Sequence, residues 1–371
     1  MAKTNWVEVA QKLAPELLER AAAHDANDSF VSDNYARMKE LRVFSAGIPE
    51  ELGGGGASHP ELCDMLRAIA RGCGSTGLAL SMHTHLIAGL MWRWRHNDRP
   101  MEPLFKRIAA EQLVLVSSGG SDWLEGSGKA EKVDGGFKVS GHKVFSSGCP
   151  SGQLFMTMAI YDDPQAGPTV LHVPVPMNAN VKIVDTWHTL GMRATGSHDV
   201  IIEDVFIPDA AVALRRPPGK WHRFFDIISV VVWPLVGSVY LGVAEAARDL
   251  ALESARRKRE DAVTQMLVGE MDTQLAAAQL AISGMVGLAN DYDFEPSVAL
   301  SNRMYLYKNL ATRACLATVD KAMETAGGAS FFRKSGLERL FRDIQGVRFH
   351  PWQEKRQYLF SGKIALGLDP V

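Results

Sequence analysis

The chain has 371 residues, 46% of them apolar and 22% charged. That is enough to bury a large core, and it excludes a mainly disordered chain or a small disulfide-stapled module. Forty basic residues against 42 acidic ones give a formal net charge of -2, which argues against a protein built to coat nucleic acid.

The first region, residues 1–112, reads as helical. Val9, Leu13, Leu17 and Ala21 recur on one face, and Tyr35, Met38 and Leu41 mark a second amphipathic run. The four glycines 53–56 form a loop. Ser58-His59-Pro60-Glu61 then has the spacing of a capping box and opens a helix. Further helices are expected over 76–94 and 101–112. The middle region, 113–215, changes period. LVLVSS at 113–118, the glycine-turned segment from Gly128 to Phe145, and the segments 154–162, 169–176, 181–187 and 199–208 read as strands. The last region, 221–371, returns to long apolar-faced helices, with two shorter ones near 337–347 and 353–367.

The longest apolar stretch, IISVVVWPLVG at 227–237, is short and interrupted by Pro234, so no membrane span is expected. Cys63, Cys73, Cys149 and Cys315 form no CxxC pair and no zinc spacing. No metal site is expected. Scattered thiols and the absence of a signal-peptide core predict a cytoplasmic protein. There is no GxGxxG opening a βα unit and no GxxxxGK[ST], which argues against Rossmann and P-loop enzymes.

In this order the chain resembles the acyl-CoA dehydrogenase superfamily. The resemblance rests on GIPEELGGGG at 47–56, GGSD at 119–122, GFKVSGHKVFSSG at 136–148, DTWHTLGMRATGSHDVIIEDVFIP at 185–208, ETAGG at 324–328 and LERLFRD at 337–343. It implies an α+β fold with an N-terminal helical domain, a central β-barrel domain and a C-terminal four-helix bundle. It also implies a flavin between the β domain and the bundle, and a homo-oligomer, typically a tetramer.

The same resemblance assigns flavin contacts to Ser117, Ser118, Gly120 and Ser121, to Phe145, Ser146 and Ser147, and to Gly327 and Gly328. Arg193, Thr195 and Trp352 are expected near substrate. FAD is favoured, with FMN or a transiently bound reduced flavin as the alternatives. The family's Arg-x-x-Phe-Gly segment is replaced here by SARRKREDAVTQM, where Arg257 keeps a positive charge.

Dehydrogenation of an acyl thioester needs a carboxylate to take the alpha proton. At the two positions where the family places it, this chain has Pro351 and Val232. His350 beside Pro351, together with Phe145-Ser146-Ser147-Gly148, resembles instead the branch that receives reduced flavin from a separate reductase and forms a C4a-hydroperoxyflavin. The expected catalytic residues are His350, Ser147 and His83. The leading expectation is a flavin-dependent oxidoreductase of the monooxygenase type acting on a small organic or aromatic substrate. The alternatives are an acyl-CoA dehydrogenase with a displaced base, served by an electron-transfer flavoprotein, and a non-catalytic flavin- or thioester-binding homologue.

Overall fold

A computed structural model describes residues 4–97, 100–118, 122–178 and 180–371. The stripe Ala10, Leu13, Leu17 and Ala21 forms the buried face of α1 (Trp6–Ala26), with Val9 at its edge. The helices α2 (Ser32–Glu40), α3 (His59–Gly72), α4 (Gly74–Arg95) and α5 (Glu102–Glu111) complete the first region. The capping box opens α3. The Ser58 hydroxyl accepts from the Glu61 N–H, and the Glu61 carboxylate accepts from the Ser58 N–H at 2.8 Å, worth about 1 kcal/mol. The glycine loop is a packing device. Trp6 donates its indole N–H to the Gly55 carbonyl at 2.9 Å, and a Cβ on Gly55 would lie 2.2 Å from the Trp6 ring.

The middle region forms one eight-stranded sheet from β1 (Leu115–Ser117), β2 (Lys129–Val133), β3 (Gly136–Lys143), β4 (Leu154–Asp163), β5 (Gly167–Pro176), β6 (Val181–Val184), β7 (Asp199–Pro208) and β8 (Leu214–Arg216). Its order is β6-β7-β3-β2-β4-β5-β8, with β1 added parallel to β4. The expected closed barrel is corrected here. Among the described residues the hydrogen-bonded ladder ends at β6 and β8, strands of four and three residues, and the sheet stays open.

The last region contains α6 (Arg223–Ala255), α7 (Ala262–Ala289), α8 (Val298–Ala326), α9 (Leu337–Ile344) and α10 (Glu354–Ala365). The helix α6 starts eleven residues before Pro234, capped by His222, and carries the proline inside. Residues Arg223–Lys258 are long and apolar enough to cross a membrane, yet 89% of the most apolar window is buried inside the protein. A helix that is apolar all round is a central helix. It packs on α3 and α4 as well as on α7, α8 and α9. The C-terminal helices therefore share a core with α3 and α4. Each fully buried valine or leucine of α6 is worth about 1.5–3 kcal/mol against exposure, which outweighs the hydrogen bond lost at Pro234.

Two cores result. One joins the N-terminal and C-terminal helices, and the other fills the sheet. The loop before β7 bridges them. Gly191 lies so close to α9 that a Cβ there would sit 2.1 Å from the Arg342 carbonyl. The Asp343 carboxylate accepts from the Met192 N–H at 2.5 Å.

Candidate active site

Between the two cores lies a cavity of about 570 Å³. Its walls come from α4, α6, the end of β1, the segment after β3, the loop before β7 and the segment 345–353. A second chamber of about 270 Å³ lies between α4, the start of α6 and strands β4 and β5. The two share His85, Ser117, Ser118 and Trp123 as lining residues.

On the sheet side, three hydroxyls form a chain. Thr195 Oγ1 donates to the Met192 carbonyl at 3.0 Å and lies 2.7 Å from Ser197 Oγ, which lies 2.7 Å from Ser147 Oγ. Thr195 is fully buried, whereas Ser147 and Ser197 line the cavity. The backbone around Ser147 is held by the Gly148 N–H on the Thr195 carbonyl and the Ser146 N–H on the His198 carbonyl. Phe145 has a left-handed φ of 56°, which turns its ring outward, 53% exposed, with its edge toward Trp187.

On the helical side, His350 Nε2 lies 2.7 Å from the Tyr240 hydroxyl. Burial lifts the Tyr240 phenol well above its usual range, so it keeps its proton. The phenol O–H and His350 Nε2 share one hydrogen bond, whose direction follows the imidazole tautomer. Burial, with the charges of Lys308 and His85, pushes His350 down to about 3. His350 is thus a neutral imidazole at physiological pH. Lys308 fixes the backbone beside it. Its buried Nζ donates to the carbonyls of Pro351 at 2.8 Å and Trp352 at 3.1 Å, and sits 3.6 Å from the Trp233 ring centre. Burial drives the Lys308 amine well below the usual lysine range.

Among the described residues no aspartate or glutamate lines either chamber. Asp343 is buried under Met192, and burial raises it to about 6. Arg342 beside it bonds Asp25 and Glu338. Glu245 is buried and engaged by Arg67, Arg71 and Gln279.

The expected site residues divide. His350, Ser147, Phe145, Ser117 and Ser118 line the large cavity. Ser146 is buried behind it with its hydroxyl unpartnered. Gly120 and Ser121 lie outside the described residues. Four others line neither chamber. His83 is buried with both ring nitrogens used, Nε2 on the Phe44 carbonyl at 2.8 Å and Nδ1 accepting from the Leu115 N–H at 3.0 Å. Arg193 bonds the Thr189 carbonyl and faces Asp28. Trp352 is buried in an aromatic cluster, stacked on Tyr305. Thr195 stands behind Ser147 and does not line the cavity. Gly327 and Gly328 are exposed at the end of α8 and line neither chamber.

The histidine that does face both chambers is His85, two positions from His83 and so on a different face of α4. Burial pushes it down to about 4, and its Nδ1 lies 3.2 Å from the Ser81 carbonyl. The sequence held a signal for it. His85, Gly89 and Arg93 recur at four-residue spacing, one stripe of a helix.

Residues 5–97 match the profile of the acyl-CoA dehydrogenase N-terminal domain, and residues 235–354 match that of the acyl-CoA dehydrogenase C-terminal domain. The chain is 27% identical to the putative acyl-CoA dehydrogenase YdbM of Bacillus subtilis, over 93% of this chain and 92% of that one. It is 26% identical to the oxygenase subunit HsaA of a flavin-dependent monooxygenase from Rhodococcus jostii, over 96% and 97%. Among solved structures, KijD3 in complex with FMN and a dTDP-linked amino keto sugar superposes with a TM-score of 0.88 at 28% identity, covering 99% of this chain and 95% of that one.

Proposed function

This chain belongs to the acyl-CoA dehydrogenase superfamily, and we propose that it is an oxygen-using flavin enzyme of that superfamily. It receives reduced flavin from a separate reductase and oxygenates a small organic substrate. The observation that carries this reading is the wall of the two chambers, which offers histidines and hydroxyls but, among the described residues, no carboxylate. Alpha-proton abstraction from a thioester has no base there, and a proline fills the position where one is expected.

The residues present suit a flavin ring. An isoalloxazine is a flat apolar body with a polar edge. The cavity supplies the aromatic faces of Phe145, Trp187 and Trp233, and hydroxyls at Ser117, Ser118 and Ser147. Reduced flavin, when bound, supplies the electron pair that lets oxygen react with substrate. Ser147 holds the polar edge of the ring, and Ser197 and Thr195 orient its hydroxyl. His350, held by Tyr240, would offer an imidazole nitrogen to hydrogen-bond that edge. His85 stands at the junction of the chambers, where it can hold or pass a proton between cofactor and substrate. The enclosing helices exclude water, which limits loss of reducing equivalents as peroxide.

FMN is the form we propose to test first. The superposed neighbour carries FMN, and the cavity accounts for the part common to FMN and FAD. An FAD reading places its adenosine end on Gly327 and Gly328 of a second copy. Leu280, Leu306 and Leu310 stand exposed on α7 and α8, apolar surface of the kind a tetramer would cover.

The test pairs two assays. With NADH, FMN and an independent flavin reductase, the protein should slow peroxide release relative to free reduced FMN. Under anaerobic conditions, butyryl-CoA should leave the oxidised flavin unbleached. Bleaching by the thioester would favour the dehydrogenase reading.

A further inference from the structure

The smaller chamber has a chemistry of its own. One wall is the α4 stripe His85, Gly89 and Arg93. At 1.5 Å per residue, eight residues span about 12 Å. His85 marks the end shared with the large cavity, and Arg93 marks the far end. There Arg223, exposed at the start of α6, and His222 join it. The rest of the lining is largely apolar, with Phe224, Phe225, Met158 and Ile228, and includes Thr157 and His172. Behind Phe225, the buried guanidinium of Arg216 lies 4.8 Å from the ring centre and donates to His172 Nε2 at 3.0 Å.

The chamber is therefore largely apolar along its length and positive at one end. Arg216, His222, Arg93 and Lys143 all act on His172 in the same direction, and with burial they push it down to about 3. Three acidic groups stand close by without lining the chamber, among them Glu125, which acts with Asp122 on Arg216. Asp122 pairs with Lys143 at 3.0 Å, and Asp226 accepts from Trp221 and Ser301. Arg223 stacks over the Trp92 ring at 5.3 Å, and the planar fork of a guanidinium suits a carboxylate.

We infer that the substrate is a small organic acid, an apolar body bearing one anionic group, seated in the smaller chamber with the anion at Arg93 and Arg223 and the reacting end at His85. The inference rests on the flavin reading, which puts the cofactor in the larger chamber. The arginines set orientation as well as affinity. An anion fixed at the far end points the opposite end of a ligand about one chamber length long at the junction with the flavin.

The test uses the full chain loaded with FMN and two probes of equal shape, 3-phenylpropanoate and 3-phenylpropanamide, with binding read by calorimetry. The acid should bind at least about tenfold more tightly than the amide. Arg93→Gln and Arg223→Gln should each weaken the acid about tenfold and leave the amide unchanged. FMN affinity, read from flavin fluorescence, should be the same in all three proteins, since neither arginine lines the larger chamber. Equal binding of acid and amide, binding of neither, or an acid affinity indifferent to both substitutions overturns the inference while leaving the flavin reading standing. Failure of the unsubstituted protein to bind FMN or FAD, oxidised or reduced, would instead remove the reading beneath it.

Discussion

The Tyr240 hydroxyl stands 2.7 Å from Nε2 of His350, joining the middle of α6 to the turn before α10. This contact holds the imidazole of His350 against α6. Tyr240→Phe removes the bond and keeps the ring. Loss of one buried hydrogen bond costs about 0.5–1.5 kcal/mol, so the fold should survive. Peroxide released per oxygen consumed should rise several-fold, and the His350 ring nitrogens should change their NMR shifts. Unchanged coupling and unchanged shifts would remove Tyr240 from the mechanism.

The hydroxyl chain makes a graded prediction. Ser147→Ala removes the group placed at the flavin edge and should weaken reduced FMN about fivefold, the equivalent of about 1 kcal/mol. Thr195→Val acts only through Ser197 and should have a smaller effect in the same direction. Fluorescence titration under anaerobic conditions measures both. A larger loss from Thr195→Val than from Ser147→Ala would contradict the order of the chain.

Acid should destabilise the protein. His350 and His172 are held down to about 3, and His83 and His85 to about 4, against 6.5 unfolded. From about pH 6.5 downward the unfolded chain takes up protons at these sites and the folded chain does not, so stability falls as pH falls. Asp343, raised from 3.8 to about 6, works the other way between those values, as do Asp226 and Asp320, which burial also raises, but burial lowers His59, His198 and His222 as well as these four histidines. Tm should therefore be lower at about pH 5 than at about pH 7, and His350→Gln should flatten the slope. A Tm that is flat or rises on acidification would contradict the burial assigned to these rings.

Gly89 offers a way to separate the chambers. It lines only the smaller one, and a Cβ there meets Ile228 at 3.1 Å. Gly89→Leu should fill that chamber, with Ile228 Cδ1 giving way to admit it. Substrate-dependent oxygen use should fall at least about tenfold while FMN binding persists. Parallel loss of FMN binding would show that the two chambers are one site.

Much of this organisation was legible in the chain. Period changes located the helical and strand regions, and the Ser58–Glu61 box fixed a helix start. Ser147 and His350, 203 positions apart, were paired by resemblance, and both line the same cavity. Other features depend on packing that no local pattern carries. Pro234 reads as a break, yet the burial of α6 on all sides overrides it. His83 and His85 look alike in sequence, and only the rotation of α4 sends one to Phe44 and the other to the cavity. Trp352 reads as a pocket wall until Tyr305 and Phe360 are seen around it. Asp343 finds its partner in a backbone N–H 151 residues away.

The central claim is that the cavity between the sheet and α6 holds reduced flavin with Ser147 and His350 at its reactive edge. Stopped-flow mixing of the protein, loaded anaerobically with reduced FMN, against oxygenated buffer tests it most directly. Oxidised-flavin absorbance should return more slowly than with free reduced FMN, and Ser147→Ala and His350→Ala should each shorten the delay. A time course matching free flavin in the unsubstituted protein would contradict the claim.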